Sequence, residues 1–256
     1  MHEGIPSAPQ ERPIEPSEPP PPATASDPAR DATLDDPRLL TILSTEHWSL
    51  LSARGLAYNE AFVRAGMFFT LLATSLVAIS FLANAVEDAP ETLVVVAAFL
   101  LGLVFIVGVL TTIRIVGCNI EDANAMQGMN RIRNGYVQIV PGVAPFFVTD
   151  IHDDNYGVAR SYGFKPSRPM LRDLVYGLST SAGLVVIVDA IVGGAIGAVV
   201  AIWLGASLGA SIVIGIVTAV GSFVLLFLLA IWLTLSAGKE TVSIYPSPDA
   251  PEGGGW

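Results

Sequence analysis

The sequence predicts an all-α membrane protein with four transmembrane helices, and three observations support that fold class. Residues 177–237 are almost unbroken apolar sequence whose only charge is Asp189. Residues 65–86 and 92–113 contain no charged residue. The whole chain is 52% hydrophobic and 14% charged, whereas about a quarter of the residues in globular proteins are charged. Because a bilayer core needs about 20 helical residues, each shorter stretch can cross it once and the longest can cross it twice.

Most of the net negative charge of the chain lies in its N-terminal segment. The net charge is −10, and residues 1–36 hold eight acidic and two basic residues, so this segment accounts for −6 of it. We expect no nucleic-acid binding, because the sequence has no basic patch to contact phosphates. The single cysteine, Cys118, excludes an internal disulfide framework.

Residues 1–36 predict a disordered cytoplasmic tail. They include nine prolines separated by Glu, Ser, Ala and Asp, and such a segment cannot bury enough apolar surface to offset the entropy of ordering. A solvated tail is the preferred interpretation, and a docking site for a proline-recognising partner is the alternative. No basic region leads directly into an apolar one, so we expect no cleavable signal peptide.

Residues 37–64 predict amphipathic helices before the first span. Asp36 followed by Pro37 is a typical helix start. Ser44 or Thr45 is expected to cap a second helix, in which Glu60 and Arg64 are spaced for an ion pair. We expect this segment to continue directly into the first span, although it could also lie at the membrane interface.

The remaining predicted elements are four spans, a stalk with a connector, and a tail. After Arg114 apolar residues recur every three positions, which predicts that the second helix continues as a stalk to about Tyr136. A hairpin is expected at residues 203–210, and the C-terminal tail is predicted to be disordered. The predicted boundaries are 65–86 and 92–113 for spans one and two, 114–172 for the stalk and connector, 177–203 and 211–236 for spans three and four, and 237–256 for the tail.

The distribution of basic residues predicts the orientation. Five lie before the first span, seven between spans two and three, and Lys239 follows span four, which together are all 13 in the chain. Basic residues concentrate in cytoplasmic loops. We therefore expect both termini and residues 114–172 to face the cytoplasm, with the lipid bilayer as the first partner of the protein.

Asp189 lies near the middle of the third predicted span. A carboxylate there costs about 2.5–3.5 kcal/mol on insertion scales and usually faces a bundle interior or a wet cavity. Small residues at four-residue steps predict close helix packing on the same face. The glycines of this row are Gly193, Gly197, Gly205 and Gly209, and the hydroxyl groups expected at comparable depth are those of Thr74, Ser75 and Ser222.

Two interpretations of Asp189 remain open. It could titrate and line an ion or proton path, or it could stay mostly neutral and join helices by donating a hydrogen bond to one of those hydroxyl groups. The structural interpretation is preferred, because no span carries a second acidic residue or a basic one.

A second group of polar residues lies in the connector. It comprises Asp150, His152, Asp153 and Asp154, and imidazole with carboxylates suits several divalent metals. A solvated acidic turn is the preferred interpretation, because no other cluster completes a coordination sphere. The sequence has no nucleophile elbow, phosphate-binding glycine loop, HExxH or CxxC motif. We therefore predict no enzyme activity, no catalytic residue, no cofactor and no metal.

Four segments carry a resemblance to a known family: Ser44–Arg54, Tyr58–Met67, Met129–Arg133 and His152–Asp154. They resemble uncharacterised bacterial multi-pass integral membrane proteins over about residues 40–165. The resemblance implies residence in the bacterial plasma membrane and no assigned activity. The chain is also similar to the two-span SLATT effectors of bacterial defence systems, which are thought to form pores, but here two further spans follow.

Two functions follow as hypotheses. The first is an oligomeric pore or a transport-class component in which spans three and four line or seal the path. The second is a structural or regulatory membrane protein that binds a cytoplasmic protein through residues 114–172. The aromatic residues that support the second are Tyr136, Phe146, Phe147, Tyr156, Tyr162 and Phe164.

Overall fold

The computed structural model describes residues 36–86, 89–164, 175, 177–238, 242–248 and 250. Residues 1–35, which make up nearly all of the predicted N-terminal tail, lie outside the described residues, as do 165–174 of the connector. In chain order the elements are α1 (Pro37–Ala85), α2 (Pro90–Ile139), a 3-10 helix (Pro141–Phe146), α3 (Asn155–Ser161), α4 (Ser181–Trp203) and α5 (Leu208–Gly238). The four long helices are long and apolar enough to span a membrane, which confirms the predicted fold class.

Helix α1 is continuous over 49 residues. Its N-cap is Asp36, whose side chain accepts a hydrogen bond from the backbone amide of Arg38 at 2.9 Å, with Pro37 at the first helical position. The predicted second cap at Ser44 or Thr45 is wrong, because the Thr45 hydroxyl donates back to the Thr41 carbonyl inside the same helix. The segment before the first predicted span and that span therefore form one continuous helix.

Helix α2 is also continuous, over 50 residues. It extends past the predicted end at Tyr136 to Ile139, just before Pro141, where proline rings disfavour further helix. Gly128 lies inside the helix where Leu50 of α1 packs: a Cβ at Gly128 would lie 2.8 Å from Leu50 Cδ1. Residues 37–64 of α1 and 114–139 of α2 extend beyond the uncharged segments 65–86 and 92–113 that were predicted as spans. We call these two extensions the stalk.

The hairpin predicted at residues 203–210 joins α4 to α5. Helix α4 ends at Trp203 with Leu204 as its C-cap, and α5 begins at Leu208. Gly205 has a φ of 83°, a left-handed conformation that glycine adopts without steric cost and that commonly ends a helix. The amide of Ala206 donates to the Ala201 carbonyl at 3.0 Å and closes the turn.

The long helices pack in chain order, α1 on α2, α2 on α4 and α4 on α5. Their common core includes Phe68, Val104, Ile115 and Val185, each with no exposed surface. Helix α5 is the most peripheral of the four, and most of its large apolar side chains are exposed. In a bilayer such a face meets lipid tails or another helix.

The connector and the C-terminal segment lie against the stalk. Asp154 caps α3 by accepting a hydrogen bond from the Gly157 amide at 2.9 Å. Residues 242–248, which the sequence predicted to be part of a disordered tail, make ordered contacts with Asp153 and Asp154. That prediction is wrong for these residues, because the buried Asp153 accepts hydrogen bonds from their backbone amides and the partly buried Asp154 accepts one from the Ser247 hydroxyl.

Candidate functional site

Asp189 is completely buried between α2 and α4. Its carboxyl group lies against Gly108, where any Cβ would overlap the Asp189 side chain. Neither Asp189 oxygen has a hydrogen-bond partner among the described residues. A charged carboxyl in this position would lack both water and a counter-charge, which is the most costly environment for such a group.

None of the hydroxyl groups expected to bind Asp189 forms a hydrogen bond with it. The Thr74 hydroxyl donates to the Thr70 carbonyl of its own helix at 2.8 Å and is exposed. Ser75 is buried on α1, and Ser222 of α5 lies at Gly193. The predicted interhelical hydrogen bond from Asp189 is therefore not present, because Asp189 faces α2 at a glycine instead of a hydroxyl-bearing residue.

The glycines of α4 differ in what they contact. A Cβ at Gly193 would lie 2.6 Å from the Ser222 hydroxyl oxygen, and a Cβ at Gly197 would overlap the Thr218 side chain. Because both positions lack a Cβ, α5 can approach α4 closely. Gly205 and Gly209, predicted to extend this packing row, have no atom within 4 Å of such a Cβ. Gly205 forms the turn instead. Gly194, which the four-residue spacing omitted, also faces α5, since a Cβ at Gly194 would lie 2.7 Å from the Ala219 Cβ.

A cluster of ion pairs lies where the stalk meets the uncharged segments of α1 and α2. Arg114 of α2 binds both oxygens of Glu60 on α1 at 2.8 Å, and Arg64 donates to the same carboxylate at 2.8 Å. Arg114 also pairs with Glu121. Hydrogen bonds from Arg114 and then from Arg64 lower the pKa of Glu60 to about 2. Two helices are thus joined by a bidentate pair at this level.

Further along the stalk, Asp122 connects three elements. Arg54 Nε donates to it at 2.6 Å, the Tyr58 hydroxyl donates at 3.2 Å, and the Tyr162 hydroxyl after α3 donates to the same carboxylate. The Arg54 guanidinium also lies 5.8 Å from the Tyr162 ring centroid, a cation–π distance. Burial raises the pKa of Tyr162, and its hydrogen bond to Asp122 raises it further, so this hydroxyl stays a donor.

Asp153 binds the C-terminal segment. It is completely buried and accepts hydrogen bonds from the Ser243 hydroxyl at 2.7 Å and from the backbone amides of Ile244 and Tyr245 at 3.0 and 2.7 Å. Arg131 of α2 pairs with the same carboxylate at 2.8 Å. Burial by itself would raise the pKa of Asp153, but these hydrogen bonds outweigh it and hold the pKa below its usual value. The C-terminal segment is therefore fixed to the stalk.

The other residues of the predicted acidic cluster also have protein partners. Asp150 contacts His152 Nδ1 at 2.6 Å and pairs with Arg160 at 3.1 Å. Asp154 caps α3 and accepts from Ser247 at 2.7 Å. Within the described residues no group of three or more His, Cys, Asp or Glu side chains is placed to hold a metal ion. The cluster thus organises the connector.

On the stalk part of α1, a row of residues at alternating steps of four and three is exposed except at Ser44, and the hydroxyl of its Tyr58 reaches Asp122 of α2. Trp48 is 65% exposed, Leu51 41% and Phe62 76%, whereas Ala57 and Ala61 on the neighbouring face are buried against the core. Such spacing is typical of a helix that packs against another helix. The row, which we call the outer stripe, comprises Ser44, Trp48, Leu51, Gly55, Tyr58 and Phe62.

A half-open cavity of about 350 Å³ lies between α2, α4 and α5 near the stalk. Its lining is mostly apolar, with Asn119, Thr180 and Thr234 as the polar contributions. Thr180 caps α4 through the Gly183 amide at 3.2 Å, so this hydroxyl already has a structural role.

Comparison of the chain with protein-family models, with curated proteins and with solved structures finds no match.

Proposed function

We propose that this protein is a transport-class component of the bacterial plasma membrane in which Asp189 is the group that binds and releases a proton or a small cation. The observation that carries the proposal is the burial of both Asp189 oxygens at Gly108 without a hydrogen-bond partner among the described residues. A carboxyl group that only joined helices would be hydrogen-bonded, because an unmade bond in an apolar interior is destabilising. Intramembrane acids of this kind usually mark ion or proton pathways.

The surroundings of Asp189 favour a change in packing when its charge changes. Gly108 leaves room for the neutral carboxyl, and the next residues of α4 meet α5 through glycines. A charged carboxylate needs water or a cation, so ionisation favours separation of α2 from α4. Protonation of Asp189, or cation binding to it, is thereby coupled to the packing of α2 against α4.

Reconstitution into liposomes tests this function. Native protein is expected to carry protons or a monovalent cation, and the Asp189→Asn variant, which keeps the shape of the side chain, is expected to lose most of that flux. Glu121→Gln removes one carboxylate from the stalk, where Glu121 is half exposed, and should leave flux unchanged. Equal flux in native protein and D189N, or none in the native protein, would refute the proposal.

We also propose the orientation with both termini and the stalk in the cytoplasm, since all basic residues lie before residue 65, between residues 114 and 172, or after α5. In a Cys118→Ala background, a cysteine at Ala89 should react with an impermeant thiol reagent added outside the cell. A cysteine at Gln138 should react only after the membrane is opened. The reverse pattern would overturn this orientation.

The outer stripe favours a second function, an oligomer or a complex with a cytoplasmic protein through the stalk. In every copy of the protein in one membrane, the outer stripe lies at the same distance from the bilayer. The stripes of two copies can therefore pack side by side in a parallel arrangement. Trp48→Ser with Phe62→Ser is expected to lower the oligomeric mass in detergent, whereas Leu225→Ser, on the exposed face of α5, should not. An unchanged mass would count against association through this stripe.

A further inference from the structure

Thr112 of α2 is a second buried polar group in the uncharged segments that lacks a hydrogen bond. It is 1% exposed, and its hydroxyl oxygen has no partner among the described residues. A buried hydroxyl without a partner is destabilising. Other helical threonines avoid this by donating to the carbonyl four residues earlier in their own helix, as do Thr45, Thr70, Thr74, Thr218 and Thr234.

The register of α2 against α4 places Thr112 one helical turn from the residue that faces Asp189. Gly108 lies at Asp189, and a Cβ at Gly193 would lie 3.0 Å from Phe105. Residue numbers therefore rise along α4 while they fall along α2, so the two helices are antiparallel. Thr112 follows Gly108 by four residues, and such residues share a helix face with Cβ atoms about 5–6 Å apart. Because the Asp189 carboxyl overlaps the Cβ position of Gly108, the Thr112 Cβ lies within about 8 Å of that carboxyl.

The side chains of Thr112 and Asp189 lean toward each other. In an α-helix each Cα–Cβ bond is tilted toward the N-terminus of its own helix. Asp189 is therefore tilted toward the start of α4 at Ser181, and Thr112 toward the start of α2 at Pro90. Since the helices are antiparallel, these tilts bring the hydroxyl and the carboxyl group together. Three oxygen atoms without a hydrogen-bond partner among the described residues thus lie in one small region between α2 and α4.

The half-open cavity between α2, α4 and α5 reaches to within one or two turns of this region. Val186 and Val116 both line the cavity. Val186 is three residues from Asp189 and Val116 is four residues from Thr112, which is about 4.5 and 6 Å along the helix axes. In the other direction, toward the hairpin, Phe105 packs at Gly193. The cavity therefore approaches the three oxygen atoms from the stalk end of the helices.

We propose that Asp189 exchanges its proton with the stalk side of the membrane through this cavity, by way of a water molecule that Thr112 positions. The inference rests on the function proposed for Asp189 and names the proton as the substrate. A buried water needs two to four polar partners, and the oxygen atoms of Thr112 and Asp189 provide three. On release, the O–H bond of Asp189 breaks and its proton passes to this water, which carries it as hydronium into the cavity. On uptake the same steps run in reverse.

The lining of the cavity favours a proton over a metal cation as the species that moves. A metal cation leaves water readily only where protein oxygen atoms replace its hydration shell. The lining is mostly apolar, and its polar side chains are those of Asn119, Thr180 and Thr234. These are too few to replace a hydration shell, whereas a proton needs only a chain of water molecules that reaches Asp189.

Hydrogen–deuterium exchange at the Asp189 carboxyl tests the role of Thr112, because infrared spectroscopy detects the shift of the carboxyl C=O band in D2O. The full-length protein is reconstituted in lipid at a pH where the carboxyl is protonated, and D189N identifies the band. Thr112→Val replaces the hydroxyl with a methyl group and should slow the exchange about tenfold, as expected for the loss of one hydrogen bond. Thr112→Ser keeps the hydroxyl and should retain the native rate. Thr111→Val is the matched control, since Thr111 is a buried threonine at the adjacent position of the same helix.

A larger side chain in the cavity tests the second part of the route. Ala230→Trp places a ring where α5 lines the cavity and should slow the exchange as T112V does. If A230W does not fold, Asn119→Trp fills the cavity from α2. Leu228→Trp, on the exposed face of α5, should leave the rate unchanged.

Native-like exchange in T112V or in the cavity-filling variant would overturn the proposal, as would equal slowing by T111V and T112V. The exchange rate is measured without any transport, so the two proposals can fail separately. Slow exchange in T112V and A230W would support the route even if liposomes show no proton flux, a result that refutes only the transport function. Proton flux together with native-like exchange in both variants would refute only the route.

Discussion

The carboxyl group of Asp189 occupies the space that a side chain at position 108 would fill. Gly108 and Asp189 belong to different helices, α2 and α4, so the two residues fix how closely and at what height those helices meet. The arrangement buries an acid in an apolar region without a hydrogen bond from the described residues.

Gly108→Ala is expected to destabilise the protein by about 1–3 kcal/mol, because the added methyl group overlaps the Asp189 carboxyl. Gly102→Ala is the matched control, since a Cβ at Gly102 meets no atom within 4 Å on the same helix. Both changes raise helix propensity equally. Denaturation in detergent should show a loss only for G108A, and Asp189→Ala should restore the stability of G108A. Equal effects of G108A and G102A would contradict the described contact.

Asp153→Ala is expected to release the C-terminal segment from the stalk. The substitution leaves the amides of Ile244 and Tyr245 without their acceptor and should cost about 1–3 kcal/mol. Limited proteolysis should cut within residues 242–248 faster in D153A than in native protein. Ser247→Ala removes one hydrogen bond to Asp154 and should have a smaller effect. Protection that is equal in D153A and native protein would exclude this docking.

Asp122→Ala is expected to be one of the most destabilising substitutions in the stalk, by about 3–5 kcal/mol, because it leaves Arg54 partly buried without a counter-ion. Tyr162→Phe removes only one hydrogen bond to the same carboxylate and should cost about 0.5–1.5 kcal/mol. Chemical denaturation of the two variants in detergent measures both values. A D122A loss no larger than that of Y162F would show that the ion pair is not central.

The pair between Glu60 and Arg114 predicts a specific pH dependence. Arg114 and Arg64 hold the pKa of Glu60 at about 2, below its ordinary value of 4.5. A group with a lowered folded-state pKa stabilises the fold above its ordinary pKa, and that contribution is lost as the pH falls toward the folded-state pKa. Native protein should therefore unfold at a higher temperature than Glu60→Gln at neutral pH, and the difference should shrink between about pH 5 and pH 2. A difference that does not change with pH would contradict this assignment.

The long helices could be predicted because their cause is local. Uncharged stretches of about 20 residues require helices in a bilayer, and Asp36 with Pro37 marks the first helix start. The hairpin at residues 203–210 was also predictable, since small residues and glycines cluster there. The false break at Ser44 or Thr45 arose because a hydroxyl that can cap a helix can equally bond back within one.

The site could be predicted only in part, because its contacts are between distant segments. Spacing along α4 identified the face that carries Asp189, Gly193 and Gly197, but it could not identify Gly108 as the residue opposite. The attachment of residues 242–248 to Asp153 had no local signal, and neither did the unpaired hydroxyl of Thr112. Each depends on which helices become neighbours, which periodicity alone does not determine.

Infrared difference spectroscopy between acidic and alkaline pH, on protein reconstituted in lipid, tests the central claim most directly. The account predicts a carboxylic acid band that is present at low pH, disappears as the pH rises and is absent from D189N. Its frequency should be that of a carboxyl group without a strong hydrogen bond. A D189N spectrum identical to that of native protein would contradict the claim that Asp189 is the group that exchanges a proton or cation.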